Sequence, residues 1–203
     1  MESNEPDSFV VTAFFVEASL GVGALCVGWL VGVDPLASIP VAKDSINQHM
    51  IATLWGVAAT VPLLFGLILV NRLGLPAVAR IRRFVDSRIV PLFKPMSIFE
   101  LGSISFAAGF GEEVLFRGLL QTGIAQWWDG PGGIVLSVVV ASVLFGACHW
   151  ITPTYAALAA LAGAYFGLLF LITESLLAPL VAHALYDFIA LVYMTRRSSP
   201  KDS

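Results

Sequence analysis

Six apolar stretches, each long enough to cross a lipid bilayer, constrain this chain more than anything else in it. They run Phe9–Val33, Ile51–Val70, Phe99–Gln121, Ile134–Ile151, Tyr155–Ile172 and Leu176–Met194. At 18 to 25 residues each, they match the roughly 20 that a helix needs to span the hydrocarbon core. Inside lipid every backbone N–H and C=O must be satisfied within the protein, which leaves helices or a closed barrel. The runs are continuous rather than alternating, so helices are expected. The expected fold class is all-α, a polytopic membrane helix bundle with about six transmembrane helices.

Composition agrees. Charged residues are 12% of the chain and apolar ones 58%, with a mean hydropathy of +0.86. A soluble domain carries about 25% charged residues, so this chain cannot cover a water-facing surface of its size. A net charge of −3 and eleven Lys+Arg offer no basic face for nucleic acid. Cys26 and Cys148 both lie in apolar runs and cannot build a disulfide scaffold. Met1–Ser8 is acidic and lacks the basic region of a cleavable signal peptide, so the first run reads as a retained span.

Charge sets the expected orientation. Arg72, Arg80, Arg82, Arg83, Arg88 and Lys94 fall between the second and third runs, and Arg196, Arg197 and Lys201 follow the sixth. The opposite loops hold only Lys43. By the positive-inside rule both termini are cytoplasmic, in a plasma (inner) membrane. Trp29, Trp55, Trp127 and Trp128 mark the predicted outer ends, as an aromatic belt would. The mixed basic and apolar segment Leu75–Lys94 reads as a helix lying along anionic headgroups.

The residues that do not belong in lipid carry the chemistry. A charge at mid-bilayer costs about 2.5–3.5 kcal/mol on insertion scales. Even so, Glu112, Glu113 and Arg117 lie in the third run, His149 in the fourth, and His183 and Asp187 in the sixth. Glu113 and Arg117 are four apart, so they can pair along one helix face. Glu112 is turned about 100° away and is left as the free carboxylate. His183 and Asp187 share a face, and Phe145 shares one with His149, setting an aromatic wall beside that imidazole.

A carboxylate shielded from bulk water is a stronger base toward a bound water. An imidazole can help to polarise that water, and the remaining His and Asp can orient a carbonyl or stabilise its oxyanion. Two His plus carboxylates could equally ligate a divalent metal such as zinc, through Glu112, His149, His183 and Asp187. Either route is hydrolysis of an acyl bond, most plausibly a peptide. A proton or ion relay in a transporter and a purely structural polar network use similar residues, and both stay open on the residues alone.

Glu112-Glu113-Val-Leu-Phe-Arg117 resembles the EExxxR motif of the CPBP family, the CAAX-protease and bacteriocin-processing (Abi) intramembrane proteases. Phe145-Gly-Ala-Cys-His149 resembles its FxxxH, and His183-Ala-Leu-Tyr-Asp187 its HxxxN/D, in the expected order. The resemblance implies an intramembrane endopeptidase acting on a membrane-associated protein or peptide. It implies Glu112 as the base, His149 assisting, His183 and Asp187 completing the site, and Glu113, Arg117 and Phe145 in support. The family has been described both as metal-dependent and as metal-free, so the cofactor stays open. A non-catalytic immunity or scaffold protein of the same fold is the alternative. The implied organisation is N-terminal spans with the basic segment over 1–96, a CPBP-type catalytic bundle over 97–195, and a tail over 196–203. One position departs from the prenyl-protease branch, which has Asn where this chain has Asp187. An amide donates a hydrogen bond to an oxyanion, whereas an ionised Asp only accepts.

Overall fold

A computed structural model of the chain describes residues 5–39 and 46–197, and within them it is helical with no strand. The order is α1 (Glu5–Val31), α2 (Ile46–Arg72), α3 (Pro76–Phe84), α4 (Val90–Phe93), α5 (Ile98–Glu113), α6 (Thr122–Trp127), α7 (Pro131–Cys148), α8 (Pro153–Thr173) and α9 (Leu177–Arg196). A π-helical segment, Val85–Ile89, joins α3 to α4, and another, Val114–Gln121, joins α5 to α6. Lys43, Lys201 and the last residues of the expected tail lie outside the described residues.

Among the described residues five helices, α1, α2, α7, α8 and α9, are long and apolar enough to cross a membrane. A sixth span arises only if Pro76–Phe93 and Ile98–Trp127 are taken together, across a bend of 115°. The physical reason is that Glu112, Glu113 and Arg117 sit in the middle of the long run. The chain is thus a multi-pass all-α membrane bundle in which the least apolar span holds the unusual charges. A capping box fixes the bend. Ser97 Oγ accepts from the Glu100 backbone N–H at 3.2 Å, and Glu100 Oε2 accepts from the Ser97 N–H at 2.7 Å.

Several boundaries differ from the sequence reading. The helix through Glu112 continues past Gln121 to Trp127. α2 begins at Ile46, before its apolar run, so Trp55 lies well inside the helix and not at its outer end. α7 starts earlier and stops at Cys148, which leaves His149 as its C-cap with φ −97° and ψ 33° and not inside the span. Gly130, at φ 88°, followed by Pro131 at the first helical position, sets that early start. Gly133 then rests directly on the Trp128 carbonyl, folding α7 back along α6.

Between lipid-embedded helices the hydrophobic effect is weak, so close packing of small residues matters more. Gly111 in α5 touches the Glu17 carbonyl of α1, and a Cβ at Gly56 in α2 would come within 2.6 Å of the Ala178 carbonyl oxygen of α9. The N-terminal helices therefore share the core of the others. Ala24 and Val33 pack with Val114, Leu119 and Leu176, while Ala52 and Ala59 pack with Phe166, Ala178 and Ala182. At one end of the bundle, Asp86 pairs with Arg82 at 3.6 Å and with Arg197, tying the basic segment to the end of α9.

At the centre lies Arg117, wholly buried. Its Nη1 bonds Glu113 Oε1 at 3.0 Å, and its Nη2 donates to the Gly163 carbonyl of α8 at 2.6 Å. The guanidinium also lies 4.9 Å from the Phe145 ring centre and 5.4 Å from that of Phe166. Arg117→Met is expected to destabilise the bundle by about 3–5 kcal/mol, because it strands the Glu113 charge. Glu113→Gln combined with Arg117→Met is expected to cost less than the two single changes summed. Thermal unfolding in detergent micelles checks both; full additivity would rule out the coupling.

Candidate active site

The two adjacent carboxylates divide as helical geometry requires. Glu113, fully buried, points at α8 and α9. Its Oε1 binds Arg117 and also lies 2.8 Å from His183 Nδ1. Glu112, 8% exposed, points instead at the end of α7, where its Oε2 lies 3.7 Å from His149 Nε2. Neither Oε2 has a hydrogen-bond partner among the described residues.

His149 has a defined tautomer. Its Nδ1 lies 2.8 Å from the Phe145 carbonyl, which can only accept, so Nδ1 carries the proton and Nε2 faces Glu112. The gap of 3.7 Å is too long for a direct hydrogen bond. A water within hydrogen-bonding reach of both groups fits that spacing. His183 is held on both sides, by Glu113 at Nδ1 and by Asp187 Oδ2 at 3.4 Å from Nε2.

Aromatic rings fix both imidazoles. Phe145 stacks on His149 with ring centres 4.5 Å apart and meets His183 edge-on at 5.7 Å. Phe166 of α8 stacks on His183 at 4.8 Å. The sequence reading named Phe145 but not Phe166, which stands among other apolar residues of its run with no polar signal to mark it. It also passed over Gln121, whose amide donates to the Gly167 carbonyl at 3.1 Å. Gly163 and Gly167 of α8 expose the two carbonyls that Arg117 and Gln121 use.

The depth of the site follows from helix lengths. Ile98–Trp127 is one unbroken helical run, about 45 Å long at 1.5 Å per residue, against a hydrocarbon core of about 30 Å. α7 turns back beside α6 and covers about 27 Å, so it ends level with Glu112. His149 reaches the carboxylate because the α7–α8 hairpin is short. Thr152 caps α8 by accepting from the Tyr155 N–H at 3.1 Å, and Pro153 follows at its first position. The turn is thereby pinned halfway along the long helix.

Glu112, His149, His183 and Asp187 meet in two pairs and do not converge on one point. Among the described residues no three His, Cys, Asp or Glu side chains come together as metal ligands would. His183 in particular has both nitrogens directed at carboxylates. As arranged, the four do not fit a resident metal. Cys148, next to His149, is a free cysteine with an exposed side chain.

No curated protein and no solved structure matches the chain. A family model does, over residues 94–189, and its description is Type II CAAX prenyl endopeptidase Rce1-like. The matched stretch contains Glu112, Glu113, Arg117, Phe145, His149, His183 and Asp187, the residues that the bundle gathers. That segment, a little under half of the chain, is similar to Rce1-like type II CAAX prenyl endopeptidases, a likeness consistent with the CPBP family of intramembrane proteases.

Proposed function

We propose that the protein is an intramembrane endopeptidase that hydrolyses a peptide bond of a membrane-associated protein or peptide, with Glu112 activating the water. The observation that carries this reading is the Glu112–His149 pair. Its carboxylate oxygen has no other partner, its imidazole tautomer is fixed, and its spacing admits one water between them. Both groups would accept a proton from that water, leaving an oxygen lone pair directed at a substrate carbonyl.

The steps follow from the groups present. The water oxygen bonds to the carbonyl carbon while its proton passes to Glu112. The oxyanion that forms needs an N–H donor; in this scheme His183 Nε2, whose 3.4 Å contact to Asp187 is long, shares its proton between Asp187 and the oxyanion. Glu112 then returns the proton to the leaving amine as the C–N bond breaks, giving a new carboxyl and a new amino terminus. Asp187, 3.4 Å from His183 Nε2, orients that ring in this scheme and does not itself donate to the oxyanion. An orientation with both termini cytoplasmic is supported by the Asp86–Arg197 contact, which gathers the two basic segments at one end of the bundle.

Glu112→Gln keeps the side-chain size and removes the base, so cleavage is expected to fall about 10²–10⁴-fold at unchanged abundance. Comparing protein termini in host membranes carrying wild type or variant tests this. Cut ends unique to the wild type support the peptidase. Identical termini with retained biological function point to the non-catalytic immunity or scaffold protein. Asp187→Asn, which installs an amide donor, is expected to stay within about tenfold of wild type. Asp187→Ala, which frees the imidazole, is expected to lose about 10²–10³-fold. Equal losses in both would sink the orienting role.

A further inference from the structure

One side of the bundle is grooved where α1, α5 and α9 meet, and the groove holds about 530 Å³. Its floor is α5 from Ile98 to Phe106, with Phe14 of α1 on one side and Leu185 and Phe188 of α9 on the other. Gly102 opens that floor, since a Cβ added there would meet only the Phe188 ring, at 3.7 Å. The hydroxyl of Ser103, the one polar side chain in the lining, donates to the Phe99 carbonyl of its own helix at 2.9 Å. Nothing in the walls asks for a polar partner, and Phe99 and Phe106 stand exposed. Such a surface takes hydrocarbon.

Apolar walls cannot tell one hydrocarbon tail from another, because a lipid tail is as apolar as the side chains it touches. Selection comes from the ends of the groove. Toward Glu112, α5 and α9 close on each other, so that a Cβ on Gly109 would come within 2.9 Å of the Ala184 backbone nitrogen. The other end opens at the bend before Ile98, and there the chain is basic. Lys94 is exposed four residues before Ile98. Arg196 Nη2 donates to the Met96 carbonyl at 3.4 Å, which sets its guanidinium at the same bend. Neither has a carboxylate partner among the described residues, where Asp86 is occupied by Arg82 and Arg197, and Glu100 by Ser97. Length agrees too. Ile98 to Phe106 rises about 12 Å at 1.5 Å per residue, which fits within one leaflet, half of a hydrocarbon core of about 30 Å.

We infer that the groove between α1, α5 and α9 is a site for an anionic phospholipid, with one acyl chain lying along Gly102 and the phosphate held by Lys94 and Arg196. Neither the groove nor its charges depend on the peptidase reading. The site gives the basic end of the bundle a particular lipid to hold, beyond a general attraction to anionic headgroups. It also sets that lipid's tail against the turn of α9 that carries Asp187.

Full-length protein reconstituted in phosphatidylcholine vesicles tests this, with a trace of phosphatidylglycerol or of phosphatidylcholine bearing a photoreactive group on one acyl chain. Cross-linked residues are mapped by mass spectrometry. The phosphatidylglycerol probe is expected to label the groove residues about 20-fold more strongly than the phosphatidylcholine probe, at about fivefold for each basic residue engaged. Lys94→Gln combined with Arg196→Gln is expected to erase that preference, and Lys94→Arg combined with Arg196→Lys to keep it. Gly102→Leu, which fills the floor and leaves the charges, is expected to remove groove labelling. Labelling of Phe65 on α2, exposed elsewhere on the bundle, is expected to stay unchanged in every variant and so reports correct folding. Equal labelling by the two probes would leave the groove to any hydrocarbon, an apolar substrate segment included, and overturns the site. A preference that survives the double Gln change overturns it as well, and so does a groove labelled by phosphatidylglycerol no more than Phe65.

Discussion

The buried pair of Glu113 and Arg117 is the interaction on which the rest of the bundle depends. Taking two charges out of water costs several kcal/mol per ion, and their attraction offsets this only with good geometry and further hydrogen bonds. Here those bonds run to other helices. Glu113 also takes His183 from α9, and Arg117 takes a carbonyl from α8 while lying against rings from α7 and α8. One ion pair thus joins four parts of the chain and sets the imidazole of α9 in place. Glu112, one residue away, is thereby left without an ionic partner on its own helix.

Much of this arrangement was legible in the sequence, for identifiable reasons. Apolar run length and hydrogen-bond economy in lipid fix the helical class. The four-residue spacing of Glu113 and Arg117 foretells their pairing, and the 100° offset foretells that Glu112 faces elsewhere. Spacing within a helix says nothing about which helix lies opposite, so the bond from His183 to Glu113 was not visible, nor was the stack of Phe166 on that ring. The carbonyls of Gly163 and Gly167 acquire a role only when Arg117 and Gln121 arrive from a distant part of the chain. Helix ends were the weakest part of the reading, because hydropathy marks where lipid stops and caps mark where a helix stops. His149 shows the difference. It belongs to an apolar run but caps the helix and does not extend it.

The same difference accounts for the site's position. Hydropathy treats every span as equal, yet Ile98–Trp127 outlasts α7 by about 18 Å at 1.5 Å per residue. A long helix beside a short hairpin puts a turn, with its polar cap and His149, at the level of a buried carboxylate. Irregular backbone at membrane depth is tolerated where protein surrounds it or where it lines a polar cavity. Thr152 and Pro153 meet the first condition by closing the turn upon itself. The peptidase proposed above needs a water beside Glu112, and a turn at that depth is where one can be held.

The paired clasps from the π-helical segment have a mechanical consequence. Arg117 holds the Gly163 carbonyl and Gln121 holds that of Gly167, a four-residue step matched on both helices. Two teeth in register behave as a rack. α8 cannot creep along the long helix by a fraction of a turn without releasing both. It can only disengage altogether or advance a whole turn, about 5.4 Å. Any movement that opens the bundle must therefore come from helices outside this lock, with α8 and its Phe166 ring held against the long helix as the stationary frame.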